Sequence, residues 1–360
     1  MLLGPQVLPR KWKRSGGIGA ALAALLTLVA TVGGAVPSGE APEVSPEGGV
    51  VHAPDKIVGS DSCARCHAAE LAVWRQSRHS LTYLDLHRQP RAKEIAERMG
   101  ITSIKRGGIC VDCHYTRQSR DGGSHRVVEG VSCEMCHGAA KDWLPLHNDY
   151  GGPTATKQSE SAEHAMLRIE KSIGAGMWNP RNPYMIARSC MNCHTVPNER
   201  LVNVGGHVAG SRDFELVRWS QGMQRHNFLR SPGVNSPSSP ERLRVMYIVG
   251  VMADLEYSLR AVAKAEERKP FALATAERAA EMRQRLVEVH ERTGDPLVLK
   301  ALEAAYSAGL RLNNSTALTA AADSLSEIAY EMGERDGADL ADVDPLVPTP
   351  ETYLQRSRRQ

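Results

Sequence analysis

The residues best suited to chemistry in this chain are cysteines and histidines that recur in one spacing. Two thiols three positions apart, followed directly by an imidazole, form the attachment pattern of a c-type haem. Both thiols bond to the porphyrin edge, and the histidine ligates the iron from one side. The pattern occurs four times and includes all eight cysteines: Cys63-Ala-Arg-Cys66-His67, Cys110-Val-Asp-Cys113-His114, Cys133-Glu-Met-Cys136-His137 and Cys190-Met-Asn-Cys193-His194.

The sequence therefore predicts four covalently attached haem c groups, with the eight cysteines as attachment points and the four motif histidines as proximal iron ligands. Cysteine pairs at this spacing also occur in zinc sites and redox disulfides, but neither requires the histidine. With 13 histidines in 360 residues, a histidine after all four pairs by chance has a probability on the order of one in a million.

The N-terminus has the layout of an export signal. Basic residues between Arg10 and Arg14 precede an apolar stretch over 18–32 and the small residues Gly33-Gly34-Ala35. We expect residues 1–35 to be a signal peptide that directs the chain to the periplasm. The alternative is an uncleaved anchor, because the apolar stretch is close to the shortest that crosses a bilayer. Only in that case would the protein be attached to a membrane.

Composition divides the rest of the chain. Residues 36–56 are rich in Pro, Gly and Glu and are predicted to be a flexible linker. Residues 57–229 hold the four motifs in short, uneven segments that favour irregular helices and loops. The formal net charge of +3 is too small and too evenly spread to indicate a nucleic-acid partner.

A Ser- and Pro-rich stretch precedes a cysteine-free region, 237–335, whose apolar residues fall at helical spacing in four segments. Ser239-Pro240 and Asp295-Pro296 have the pattern of helix starts. These helices either pack on each other and on the haem region or offer a docking surface for a partner. Residues 336–360 are predicted to be a mobile tail. The predicted fold class is mainly α: an irregular helix-and-loop tetrahaem domain followed by a C-terminal helical bundle.

Residues around the motifs carry a resemblance to a known family. Trp74 precedes His79 by five positions, and the third motif lies in Gly130-Val131-Ser132-Cys133-Glu134-Met135-Cys136-His137-Gly138. With the motif spacing, these features resemble the cytochrome c-554 family of tetrahaem cytochromes over roughly Gly59 to His194. Members of that family accept electrons from hydroxylamine oxidoreductase in ammonia-oxidising bacteria. The resemblance implies an electron carrier and says nothing about the C-terminal helices.

In electron carriers a second protein ligand fills the sixth coordination position of the iron. Haems that bind small molecules leave that position open. By the resemblance, His79 and His147 are distal ligands of different haems. The family's third distal histidine lies nine residues before the last motif histidine, where this chain has Met185. Either Met185 ligates iron, or the ligand has moved to His207 or His226. His52 and His290 are expected to be exposed bystanders.

Two functions follow from these alternatives. If every iron has two protein ligands, the chain is an exported electron carrier between redox partner proteins, a donor and an acceptor. The family's second haem, on His114 here, has an open iron, which would permit an oxidoreductase of small nitrogen or sulfur compounds. Arg117, Arg120 and His125 could then serve its vacant face. Because only 18 residues separate His114 from Cys133, we expect the second and third haems to be in contact.

Overall fold

The computed structural model describes residues 43–44, 50–106, 108–120, 123–229 and 233–353. The predicted signal peptide, 1–35, lies outside these residues, as do most of the predicted linker and residues 354–360 of the predicted tail. Within the described part the chain is mainly helical, as predicted from the sequence. No helix there is long and apolar enough to cross a membrane.

The motif-bearing half consists of short helices joined by loops. Two antiparallel strand pairs accompany them, β1 (Glu43–Val44) with β2 (Val50–Val51) and β3 (Thr116–Ser119) with β4 (His125–Glu129). Two 3₁₀ helices, Ser60–Arg65 and Leu86–Arg88, complete this half. The helices are α1 (Ala68–Arg75), α2 (Arg78–Asp85), α3 (Pro90–Met99), α4 (Ile109–His114), α5 (Cys133–His137), α6 (Ala162–Gly174), α7 (Pro183–His194), α8 (Glu199–Asn203) and α9 (Leu216–Ser220).

Each haem motif lies on a helix or at its end. The second motif is in α4, the third forms α5 and the fourth ends α7, while the first runs from the end of a 3₁₀ helix to His67, the residue before α1. Side chains three and four positions apart lie on the same helical face. Helical turns therefore direct both thiols and the imidazole of a motif to one side, as attachment of one porphyrin requires.

The C-terminal half contains four longer helices: α10 (Pro240–Ala263), α11 (Pro270–Thr293), α12 (Pro296–Tyr306) and α13 (Ser315–Gly333). The predicted helix starts are confirmed, because Ser239 Oγ accepts a hydrogen bond from Arg242 N, and the Asp295 carboxylate accepts from the backbone of Leu297 and Val298. Helix α10 is the centre of this half: its residues from Val245 to Leu259 are all buried. A helix that is buried on all sides must be covered by neighbours on all sides.

Part of that cover comes from the motif-bearing half. Ala187 and Met191 of α7 and Leu216 and Val217 of α9 belong to the same hydrophobic core as α10. At Gly250 of α10 an added Cβ would lie 2.8 Å from Leu216 Cβ, so α9 and α10 are in close contact. One hydrophobic core therefore joins the parts of the chain on either side of the Ser- and Pro-rich stretch.

The structure differs from the expected mobile tail. Ala338–Leu346 and Pro350–Thr352 are 3₁₀ helices. Leu340 and Val343 are buried in the core beside α10, and Arg244 holds the Asp344 carboxylate with hydrogen bonds of 2.7 and 2.9 Å. This segment contains few apolar residues, and they do not recur over enough turns to predict a helix in an otherwise polar sequence.

Candidate haem sites

A single large cavity receives all four motifs. Its volume is about 1610 Å³, and its wall includes all eight motif cysteines and the four motif histidines. A pocket for one small ligand is typically about 300–1,000 Å³. Cationic side chains outnumber acidic ones eight to three along the wall, which suits the carboxylate groups that a porphyrin carries. The cavity therefore fits several large, flat, anionic groups.

Each motif histidine faces a second histidine across this cavity. The ring centroids of His67 and His147 are 6.4 Å apart, and those of His79 and His194 are 6.3 Å apart. The corresponding separations are 6.4 Å for His114 and His207 and 6.2 Å for His137 and His226. The four candidate distal histidines are thus each brought to a different motif.

These separations can be compared with the requirement for one metal ion between two rings. An imidazole nitrogen binds a transition metal at about 2.0–2.1 Å and lies roughly 1.1 Å from its ring centre, so two rings on opposite sides of one ion have centroids about 6.3 Å apart. All four observed values lie within about 0.1 Å of that distance. The histidines therefore fit an iron held between two imidazoles at each motif.

Hydrogen bonds at Nδ1 leave Nε2 free for a metal. Nδ1 of His147 lies 2.7 Å from Leu144 O, Nδ1 of His207 lies 2.9 Å from Val208 O, and Nδ1 of His226 lies 2.6 Å from Gln224 O. A carbonyl oxygen only accepts, so each Nδ1 must be the protonated donor. Metal-ligating histidines usually donate their second nitrogen in this way.

The surroundings also keep three of the motif histidines, His114, His137 and His194, neutral. Burial, with a smaller contribution from His207, lowers the pKa of His114 to about 4. Burial likewise lowers the pKa of His137 to about 4 and that of His194 to about 3. The neutral imidazole is the form that ligates metals. These side chains are therefore in the ligating form at neutral pH.

Met185 occupies a different environment from the histidine pairs. It lies on α7 in a small apolar cluster with Trp178 and Tyr330, and it is not among the residues of the cavity wall. The side chain of Met185 therefore packs in the protein interior, and the structure brings His226 and His207, instead, to motif histidines.

The other histidines and arginines considered from the sequence lie elsewhere. His52, expected to be exposed, is half-buried against Trp178 with ring centroids 5.1 Å apart, and burial lowers its pKa to about 4. His290 is also half-buried rather than exposed. Arg117 pairs with Asp112 at 3.0 Å, and the exposed His125 contacts Ser119 Oγ. The face opposite His114 is occupied by His207.

The family signature has a direct structural explanation. Trp74 Nε1 donates to Val131 O at 2.8 Å, and Val131 N donates to His79 O at 3.0 Å. An added Cβ at Gly130 would lie 2.2 Å from His79 O, so only glycine permits this approach. Trp74, Gly130 and Val131 thereby fix the backbone that directs His79 toward His194.

Sequence reasoning missed the role of Glu134, which lies between the cysteines of the third motif. Its buried carboxylate accepts hydrogen bonds from Val58 N, Gly59 N and Ala140 N at 3.0, 2.8 and 2.8 Å. Glu134 therefore ties the segment before the first motif to the third motif. Its charge in an otherwise apolar setting is the signal that could have revealed it.

Thiols from different motifs also meet. Cys63 of the first motif and Cys133 of the third are neighbours, as are Cys113 of the second and Cys193 of the fourth, and Cys136 of the third lies close to Cys190 of the fourth. The motifs therefore adjoin in the order first, third, fourth, second. The short segment between the second and third motifs, from which we expected contact between their haems, forms the β3–β4 hairpin.

Comparisons with known proteins agree with the motif geometry. Residues 62–138 match the family model for cytochrome c554 and c-prime. Cytochrome c-554 of Nitrosomonas europaea is 26% identical over 100 residues, which are 26% of this chain and 43% of the relative, so less than half of the relative's length is matched. No solved structure gives a significant match. The first three haem motifs thus lie in a segment, 62–138, that matches the c-type cytochromes of the cytochrome c554 and c-prime family.

Proposed function

We propose that the protein is a tetrahaem c-type cytochrome that carries electrons between redox partner proteins, with every iron held between two histidines. The observation that carries this proposal is the set of four histidine pairs with centroids 6.2–6.4 Å apart in one cavity. Bound haem c supplies the reversible one-electron chemistry of iron. The protein's part is to bind, orient and enclose the haems.

In this proposal the proximal ligands His67, His114, His137 and His194 have the distal ligands His147, His207, His226 and His79, in that order. The eight motif cysteines hold the porphyrins covalently. The thiol contacts support a continuous row of four sites in the order first, third, fourth, second. A row of closely spaced sites suits a protein that accepts an electron at one place and delivers it at another.

The alternative is an oxidoreductase of small nitrogen or sulfur compounds, and it needs an open position on one iron. The second motif was the candidate, because the resemblance implies an open iron there. In this chain His207 stands 6.4 Å from His114 across the cavity. The position of His207 opposite His114 favours electron transfer over small-molecule chemistry at the second motif.

The proposed location is the periplasm, where haem attachment to such motifs takes place. The export signal within residues 1–35 supports this location, and an uncleaved signal would make the protein membrane-anchored. The proposed partners are an electron donor and an electron acceptor of protein nature. Measuring the mass of the purified mature chain would test both points, because it gives the cleavage site and the number of attached haems.

Electron paramagnetic resonance of the oxidised protein, with and without nitric oxide, tests the ligand assignment. We expect four haems per chain and only low-spin iron that nitric oxide does not alter. A high-spin signal that disappears with nitric oxide would instead establish an open iron and support the alternative. A chain mass that lacks any of the four haems would contradict the tetrahaem assignment.

A further inference from the structure

A buried ion pair in the C-terminal helices reaches the histidine of the fourth motif. Asp254 of α10 and Arg278 of α11 are almost fully buried, with 3% and 6% of their surface exposed. Arg278 Nε and Nη2 donate to the two carboxylate oxygens of Asp254 at 2.6 and 2.7 Å. A bidentate pair of this kind fixes the plane of the guanidinium as well as its position.

The remaining nitrogen of Arg278 is directed at the fourth haem site. Nη1 donates to Ser211 O at 2.8 Å and lies 3.4 Å from His194 O. Ser211 in turn donates its backbone N–H to His194 O at 2.8 Å, and its Oγ lies 3.0 Å from His194 Nδ1. Gly210, with φ of +83°, makes room, because an added Cβ would lie 3.0 Å from Arg278 Nη1.

We propose that Arg278 is a positioning residue for the fourth haem site, acting on His194 through Ser211. Fixed by Asp254, Arg278 holds the Ser211 backbone so that Ser211 Oγ accepts the Nδ1–H of His194. This bond orients the imidazole toward His79 and sets its strength as a ligand. The inference rests on the function proposed above, since it concerns how a haem ligand of that site is held.

The charge of Arg278 has a second effect on this site. A guanidinium stays protonated at all physiological pH values, and a buried charge acts through a medium of low dielectric constant. In the Asp254–Arg278 pair the positive guanidinium is the group next to His194, so the pair favours the iron state with the lower positive charge, which is the reduced state. Arg278 is therefore expected to raise the reduction potential of the fourth site above that of the same site without it.

Packing alone does not explain this arrangement. An ion pair in a helical core is often replaced by apolar side chains of similar volume without loss of stability. Here the pair instead connects α10 and α11 to the backbone of a motif residue. Asp254, Arg278 and Ser211 all lie outside residues 62–138, the part matched by the family model. The C-terminal helices thus contribute a support for His194 that the matched segment does not contain.

The test uses the full-length, haem-loaded protein and five variants, one of which, His79→Ala, serves only to identify the fourth site. Ser211→Ala removes the acceptor for His194 Nδ1 without disturbing the ion pair, and Arg278→Gln removes the charge. Arg278→Lys retains the charge but not the bidentate geometry. Arg285→Gln is the matched control, because Arg285 lies on the same helix but pairs with Glu281 at the surface.

Each protein is measured by paramagnetic resonance and by redox titration of its haems. The low-spin component that is lost in His79→Ala identifies the fourth site.

We expect Ser211→Ala and Arg278→Gln to shift the low-spin component of the fourth site and leave the other three unchanged. Arg278→Gln also lowers the midpoint potential of that haem, whereas Arg278→Lys keeps the potential close to its original value and shifts the resonance. Arg285→Gln leaves all components in place.

The inference is overturned if folded Ser211→Ala and Arg278→Gln proteins with four haems keep all four resonance components and potentials unchanged. If Arg278→Gln does not fold, Ser211→Ala decides alone. If the unmodified protein lacks low-spin iron with two histidine ligands, the proposed function itself fails, and this inference fails with it.

Discussion

At the scale of single residues, the sites depend on contacts that bring distant backbone segments close together. Gly130 is the clearest case, because its missing side chain leaves space for the carbonyl of His79. The Trp74 indole and the Val131 amide then fix this approach with hydrogen bonds. The residues of this sequence signature thus fix the position of one candidate distal histidine, His79.

Gly130→Ala should displace His79 and disturb the fourth site. The added Cβ would lie 2.2 Å from His79 O, a distance that forces the backbone to move. We expect a changed low-spin resonance for one of the four haems and a loss of stability of about 1–3 kcal/mol, typical of overpacking. Gly174→Ala is the control, since no atom lies within 4 Å of an added Cβ there. Equal behaviour of the two variants would contradict the role given to Gly130.

Glu134→Gln should weaken the connection between the first and third motifs. The amide keeps the volume of the carboxylate, but its nitrogen cannot accept the backbone N–H groups that Glu134 binds. Leaving a buried donor without an acceptor costs about 1–3 kcal/mol, and chemical denaturation of the haem-loaded protein would measure this loss. The exposed Glu163→Gln is the control. A denaturation midpoint that is unchanged in Glu134→Gln would show that these hydrogen bonds are dispensable.

The planes of the paired imidazoles should distinguish the four irons. The rings of His137 and His226 are nearly perpendicular, at 89°, whereas those of His67 and His147 are 25° apart. Perpendicular planes make two iron d orbitals nearly equal in energy, which produces a highly anisotropic low-spin signal. We expect the oxidised protein to show one such signal together with a rhombic one. Four identical spectra would mean that the bound rings do not keep these angles.

At the scale of elements, α7 and the 3₁₀ helix Ala338–Leu346 connect parts of the chain that composition separates. Helix α7 carries the fourth motif on the cavity side and packs on α10 through Ala187 and Met191. The 3₁₀ helix is held to α10 by burial of Leu340 and Val343 and by the Arg244–Asp344 ion pair. Both connections are made by short elements, of 12 and 9 residues, rather than by long periodic segments.

Acid should weaken the attachment of the C-terminal segment. The hydrogen bond from Arg244 holds the pKa of Asp344 below its usual value of 3.8. A lowered carboxyl pKa gives stability above the unfolded pKa, and this stability is lost as pH falls through the folded value. Because the Asp344 side chain is half-exposed, the gain is only about 0.5 kcal/mol.

Thermal unfolding should be measured at about pH 6 and about pH 2.5. We expect the unmodified protein to have a higher midpoint temperature than Asp344→Asn at the higher pH only. The control is Asp342→Asn, an exposed carboxylate in the same 3₁₀ helix. A difference between Asp344→Asn and the unmodified protein that persists in acid would show that charge is not its cause.

At the scale of the whole molecule, the haem region and the C-terminal helices share one hydrophobic core. A chain that ends before α10 would expose the apolar faces of α7 and α9 and remove the support of His194. We expect such a shortened chain to lose the native resonance of the fourth site and to aggregate, which light scattering and paramagnetic resonance would show. A monomeric shortened chain with four native spectra would demonstrate that the haem region is independent.

The sequence was most informative where structure is local. The four motifs, the mainly helical fold and the starts of α10 and α12 follow from spacings of a few residues. The partner that faces each motif histidine depends on contacts between distant segments, which spacing does not encode. This is why Met185 could not be separated from His207 and His226 beforehand, and why the packed segment 338–346 was expected to be mobile. Glu134 and Arg278 were missed for the same reason, since their partners lie 76 and 67 positions away.

The order of neighbouring thiols also has a consequence for how this protein can diversify. The two ends of the row belong to the first and second motifs, and both lie within the segment shared with known relatives. The fourth motif, which the C-terminal helices support, is an interior member of the row. In the proposed row of sites, the helices behind the interior fourth site can therefore change while both ends keep the matched sequence.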